Sequence, residues 1–375
     1  MPATDLPVTD LPVTDLPVNI LVMVHGISPE PLPFSPEPMY GAFWRSLQCH
    51  QPILGDRFPQ GYIGVSWGQE LPKPGRPPLI DLRPDQCLTR AQNFINQRTS
   101  YEQIKAAPDP NSKLLEWGGD RSIDFPWYSP IVRGLVANLR EQTLIQGVGD
   151  AIYYCSRDGE FYIRRAVYGQ VLSQLDDYLE AKEVRLHLIG HSLGVTLTHD
   201  FLYGLFAPNH RPDYYRQAEE ANALRFERWR AKAERGELKL GSLTSMASQL
   251  PLFALRRQVL VDQLAAGQLL DGQMIGLRPD VEPRPGQPDR HPEAALSPDT
   301  ALSSGGGSMQ AIQWQLFYDV DDLLAFGTRR LYDQPSRIRE VQVDTGDNPA
   351  KAHVNYWENR QVIAQTAALL LATTA

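Results

Sequence analysis

The sequence predicts an α/β fold with a mostly parallel central sheet flanked by helices, carrying a helical insertion and a disordered Pro/Gly-rich insertion. Three observations predict it. Residues Asn19 to Ile27 read Asn-Ile-Leu-Val-Met-Val-His-Gly-Ile, a continuous apolar run closed by His-Gly, which suits a strand covered on both faces. Strand-like and helix-like segments alternate along the chain, an order that favours one sheet with helices on its faces over separate domains. Finally, Val184–Ile189, the turn Gly190–Gly194 and the helical stretch Leu193–Phe206 follow one another directly as strand, tight turn and helix.

Taken in order, Thr4–Val18 holds three copies of Thr-Asp-Leu-Pro-Val. A proline every fifth residue forbids a helix and leaves no alternating strand face, so residues 1–18 are expected to be a disordered tail. The domain then runs from 19 to 375. After the first strand, Gly61–Trp67 is a second strand, Leu71–Leu82 a proline-rich loop, and Cys87–Ile104 and Pro130–Gln146 are helical. From Asp158 to Glu180, Phe161, Ile163, Val167, Val171, Leu172, Leu175 and Leu179 recur at helical spacing. Arg211–Glu237, rich in Glu, Arg and Ala, reads as a solvated helix within an insertion at about 207–237. Leu238–Thr244 is a short strand leading into Leu250–Leu255. A second insertion spans about 262–309, where six prolines between Arg278 and Ser308 and the run Ser-Ser-Gly-Gly-Gly-Ser cannot bury enough apolar area to offset chain entropy. Strands return at Ile312–Tyr318 and Ile338–Val343, and a last helix covers about Glu358–Ala372.

Composition narrows the function. With 375 residues, 42% hydrophobic and 21% charged, the chain falls in the ordinary globular range. A net charge of −8 without a dense Lys/Arg block leaves no electrostatic footprint for nucleic acid. No apolar run approaches the roughly 18 residues that span a bilayer, so no transmembrane segment is expected, although peripheral membrane contact stays open. The start lacks the charged and apolar stretches of a secretory signal, and Cys49, Cys87 and Cys155 show no ligand spacing. A cytoplasmic protein without a metal site is the expectation.

Chemistry concentrates in Gly190-His-Ser-Leu-Gly194. Gly-x-Ser-x-Gly between strand and helix puts the serine on a sharp turn, where the flanking glycines allow close packing. The helix that follows aims its first N–H groups at the same spot, which makes Ser192 the candidate nucleophile and the Leu193 N–H an oxyanion donor. Gly64-Val-Ser-Trp-Gly68 also matches, but the prolines after it cannot start a helix, so Ser66 is read as a strand or loop residue. Elbows of this kind present serine, acid and histidine in that chain order. His353, after a strand and a Gly/Asp/Asn loop, is therefore the candidate base, whereas His199 lies along the elbow helix and His210 and His291 fall in insertions. The acid belongs on the loop after a strand between them, where Asp319, Asp321 and Asp322 all qualify. Asp322 is preferred, Asp319 and Asp321 remain alternatives, and Asp344 and Asp347 are weaker. A second oxyanion donor is expected from the Ile27 N–H in His25-Gly26-Ile27, and His191 is expected to pack in the turn.

Together, Val24-His-Gly-Ile27, Gly190-His-Ser-Leu-Gly194, Asp319-Val-Asp-Asp-Leu-Leu324 and Ala352-His353 resemble the α/β-hydrolase fold serine esterases and lipases over most of residues 19–370. Gly149-Asp-Ala-Ile-Tyr-Tyr154 is similar to a segment of intracellular phospholipase-like members. The resemblance implies that fold, a triad of Ser192, Asp322 and His353, and hydrolysis of a small-molecule or lipid ester without a cofactor. Many members follow the acid with Pro-Leu where Leu323-Leu324 stands here, which keeps the other two aspartates open. An acyltransferase or thioesterase would use the same acyl-enzyme, and a non-catalytic binding protein of this fold is the reading from a different class.

Overall fold

The structure, a computed structural model, describes residues 17–26, 36–67, 154, 157–208, 220–254, 258–279, 312–346 and 352–374. The repeat tail, the proline-rich loop at 71–82, the helical stretches expected at 87–104 and 130–146, and most of the segment after Arg278 lie outside them.

Among the described residues, six parallel strands form one sheet in the order β2-β1-β3-β4-β5-β6. They are β1 (Val18–Val24), β2 (Ile63–Val65), β3 (Val184–His191), β4 (Leu238–Met246), β5 (Trp314–Tyr318) and β6 (Ile338–Gln342). The helices are α1 (Glu37–His50), α2 (Leu54–Arg57), α3 (Arg157–Leu175), α4 (Leu193–Phe206), α5 (Glu220–Glu234), α6 (Leu250–Ala254), α7 (Gln258–Ala265) and α8 (Arg360–Thr373).

Side-chain alternation sorts each strand between two cores. Ile20, Val22 and Val24 of β1, with Leu186 and Leu188 of β3, meet Val167, Val171, Leu197 and Phe201 of α3 and α4 on one face. Leu21, Met23, Ile189, Met246 and Phe317 meet Phe43 and Leu47 of α1 and Val362, Ile363 and Leu370 of α8 on the other. Burial on both faces is what made β1 legible as an unbroken apolar run.

One expectation needs correction. The segment read as a solvated helix is α5, and its Phe226 and Trp229 are fully buried in the core against α4, so its charged residues hid an apolar stripe. Even its cations turn inward: buried Arg230 donates to the carbonyls of Gly204 and Ala207, capping the end of α4. Of the second expected insertion only the start is described, where α7 and a 3₁₀ turn at Gly272–Ile275 bury Val261, Leu264 and Ile275.

The connections decide where a site can form. From β1 the chain moves outward to β2, whereas from β3 it proceeds through β4 and β5 to β6 at the other edge. Adjacent β1 and β3 therefore lead in opposite directions, an arrangement in which open α/β sheets place their ligand sites beyond the carboxyl ends of the strands. Registers of Val24 with Gly190, His191 with Met246, Met246 with Phe317 and Tyr318 with Gln342 align the strand ends. His25, Ser192, Ala247, Asp319 and Val343 consequently leave the sheet along one rim.

Candidate active site

Ser192 is the single residue between β3 and α4, with φ 55° and ψ −125°. A side chain other than glycine held there stores about 1–3 kcal/mol of strain, so its surroundings must over-determine it. They do so through close approach. A Cβ on Gly194 would meet the carbonyl of His25 at 2.6 Å, and one on Gly26 would meet Ser192 Oγ at 3.0 Å. The Ser192 N–H donates to Met246 O at 2.9 Å, tying the turn to the next strand. Because Leu193 opens α4, its N–H has no acceptor within the helix and lies at the positive end of the helix dipole.

The structure brings Ser192, His353 and Asp322 together from three segments. His353 Nε2 lies 2.8 Å from Ser192 Oγ, and its Nδ1 lies 3.0 Å from each Asp322 oxygen. A carboxylate at Nδ1 fixes the proton there and leaves Nε2 free to accept from the serine hydroxyl. Ser192 and Asp322 are buried, whereas His353 is partly exposed.

Of the alternative acids, neither touches His353. Asp319 is buried and turned toward the loop after β6: its Oδ2 accepts from Thr345 N at 2.5 Å and lies 2.6 Å from Thr345 Oγ1. Thr345 Oγ1 is also 2.9 Å from the carbonyl of Ala352, the residue before the histidine, so Asp319 ties down Thr345 beside the loop that carries His353. Asp321 is exposed and donates its backbone N–H to Asp319 Oδ1. Asp344 is likewise exposed and accepts from Gly346 N, while Asp347 lies outside the described residues. Ser66 is held from α3, where Gln170 accepts from its N–H at 3.0 Å and donates to its carbonyl at 2.7 Å. Ile27, the expected second oxyanion donor, also lies outside the described residues, as do His210 and His291. His199 is only partly buried and pairs with the Tyr332 hydroxyl.

Two buried imidazoles frame the site. His191 packs in the turn as expected, and its Nε2 donates to the His353 carbonyl at 2.6 Å, since a carbonyl can only accept. Burial, reinforced by neighbouring His353, lowers its pKa to about 3 and keeps it neutral. His25 Nδ1 donates to the Gly26 carbonyl at 2.5 Å, and its ring stacks on Trp67 with centroids 5.2 Å apart. Burial brings this imidazole down to about 4 against the opposing pull of the Gly26 carbonyl. Tyr40 accepts from His25 N and donates to Val65 O, joining the ends of β1 and β2.

Sequence reading missed two residues. Tyr356 is fully buried; its hydroxyl donates to Asp322 Oδ2 at 3.1 Å and accepts from Asp319 N at 2.8 Å. Burial and adjacent Asp322 push its phenol far above the usual range. Gln249, also buried, donates from Nε2 to Ser192 Oγ at 3.1 Å. Neither sits in a motif: Tyr356 is one of several aromatics around a loop, and Gln249 follows a strand end with no glycine or spacing signal. Among the described residues, no group of three or more His, Cys, Asp or Glu side chains is gathered to hold a metal ion, and no helix is long and apolar enough to cross a membrane. Comparison with protein-family models, curated proteins and solved structures finds no match for this chain.

Proposed function

We propose that this chain is a serine hydrolase of the α/β-hydrolase type. More specifically, it cleaves carboxylic esters, in the manner of esterases and lipases, through an acyl-enzyme on Ser192. One observation carries the reading: an unbroken line from Ser192 Oγ through both His353 nitrogens to Asp322, at the point where the sheet's connections diverge.

In this reading His353 Nε2 takes the hydroxyl proton as Ser192 Oγ attacks the ester carbonyl carbon. Asp322 stabilises the imidazolium formed, and the Leu193 N–H receives the oxyanion, with the Ile27 N–H as the second donor. The imidazolium then protonates the departing alcohol. Water repeats the sequence on the acyl group, with His353 first accepting its proton and then returning one to Ser192 Oγ. An apolar ester fits the surroundings, for Leu252, Val320, Leu323 and Val354 are exposed on the very segments that carry Gln249, Asp322 and His353.

Labelling with a fluorophosphonate probe tests the reading. Wild type should label, Ser192→Ala should not, and aryl-ester kcat should fall about 10⁶-fold in that variant. Equal labelling of both proteins rejects Ser192, and labelling of neither points to a non-catalytic binding protein.

A further inference from the structure

From the contact between Gln249 and the nucleophile we infer that the Gln249 amide assists deacylation by donating to Ser192 Oγ when that oxygen is the leaving group, an inference that rests on the hydrolase reading above. Gln249 Nε2 stands 3.1 Å from Ser192 Oγ, opposite the use of the same oxygen as donor to His353 Nε2 at 2.8 Å. A serine oxygen has one proton and two lone pairs. The proton is directed to His353 and one lone pair to Gln249, which leaves the other for the carbonyl carbon. The amide therefore need not move aside for attack.

Its position is fixed by the backbone rather than by chance of rotamer. At the end of β4, Ala247 is held at φ 53°, a left-handed conformation that a residue with a Cβ seldom adopts. Ala247 N donates to Phe317 O at 3.1 Å, and Ser248 O accepts from Phe326 N at 2.9 Å. The Gln249 carbonyl accepts from Leu252 N and Phe253 N and so caps α6. These bonds fix the backbone from which the Gln249 side chain reaches Ser192 Oγ, and Gln249 is 4% exposed.

Differential stabilisation decides which step benefits. In the free enzyme Ser192 Oγ is a hydroxyl oxygen, a good acceptor that already holds the amide proton, so attack gains little from keeping it. In the acyl-enzyme the same atom is an ester oxygen and a poor acceptor. When water adds to the acyl carbon and the tetrahedral adduct collapses, the C–Oγ bond breaks, its electron pair moves onto Oγ, and His353 returns a proton to it. Oγ becomes a strong acceptor again during that collapse, and the Gln249 N–H meets the growing charge without gaining or losing a proton. The sum is ester bond plus water giving carboxylic acid and free serine.

Stopped-flow kinetics with a p-nitrophenyl ester separates the two steps, using the full chain and its Gln249→Met and Gln249→Glu variants. Gln249→Met keeps the length of the side chain without the donor. Deacylation should slow by about 10–100-fold while acylation changes by less than about 3-fold, so acyl-enzyme accumulates and kcat and KM fall together. Gln249→Glu should deacylate as slowly, and its carboxylate should stabilise imidazolium at His353 and move the acid limb of the rate profile to higher pH. Preserved fluorophosphonate labelling shows that either variant has folded, and whichever does carries the test. Unchanged deacylation in a labelled variant, or equal slowing of both steps, overturns the role of Gln249 and leaves the hydrolase standing. A wild type that neither labels nor gives a burst overturns both.

Discussion

Ser192 shows how much a single turn demands of its neighbours. Its positive φ puts the hydroxyl at the rim, but only because Gly194 lets the helix close onto the carbonyls ending β1 and because Gly26 leaves room for Oγ. Tyr356 is comparably placed beside Asp322, since one hydroxyl both donates to Asp322 and satisfies the buried N–H of Asp319. Tyr356→Phe should leave that N–H without a partner and lower stability by about 1–3 kcal/mol in urea unfolding. The same change removes a donor from the Asp322 carboxylate, which then holds the imidazolium more tightly. The acid limb of kcat/KM should accordingly shift to higher pH, and an unshifted limb would leave Tyr356 a purely structural residue.

Among the elements, the loop between β6 and α8 has the hardest task, because it must carry His353 back across the rim to Ser192. Two fastenings do this: Thr345, whose N–H donates to Asp319, places its hydroxyl between Asp319 Oδ2 and the Ala352 carbonyl, and His191 Nε2 donates to the carbonyl of His353. Asp319→Ala should cost about 2–3 kcal/mol of stability and, if the proposed reaction holds, by letting His353 drift by an ångström or so should slow fluorophosphonate labelling about 10²-fold. Labelling at the wild-type rate in a destabilised variant would show that the loop holds its course without this latch. Helix α5 makes a different point about elements: Phe226 and Trp229 are three positions apart on one face, and that spacing rather than overall charge determined its burial.

For the molecule as a whole, three imidazoles among the described residues are buried and kept neutral. His25 lies at about 4 and His187 and His191 at about 3, burial being the leading cause in each. His187 is wedged in mid-sheet between Asn19 Oδ1 and Ser242 Oγ, at 3.2 and 2.9 Å. The unfolded chain protonates all three near pH 6.5, whereas the folded protein resists protonation until about pH 3–4. Unfolding therefore takes up about three protons in that window, and stability is fullest above pH 6.5 and declines as pH falls. Between pH 7 and pH 5, each imidazole should contribute about 2 kcal/mol of loss, and His187→Gln should remove about one third of the slope in chemical denaturation. A pH-independent midpoint over that range would contradict the buried neutral state.

By itself the sequence determined what local physics dictates. The unbroken apolar run Ile20–Val24, closed by His-Gly, pointed to a strand covered on both faces, and Gly190–Gly194, set between a strand-like and a helix-like stretch, pointed to a tight turn at Ser192. Chain order then pointed to His353 and narrowed the acid to three neighbouring aspartates. What remained needed three dimensions. Asp319, Asp321 and Asp322 share composition, loop and spacing, and only the direction in which each side chain leaves the turn after β5 separates the partner of His353 from the latch on Thr345 and the exposed cap. Gln249 and Tyr356 are more than fifty and more than one hundred and sixty positions from Ser192 respectively, so no local pattern could connect them to it. Their placement follows from aligned strand ends and buried hydrogen bonds, which are properties of the assembled sheet rather than of any segment within it.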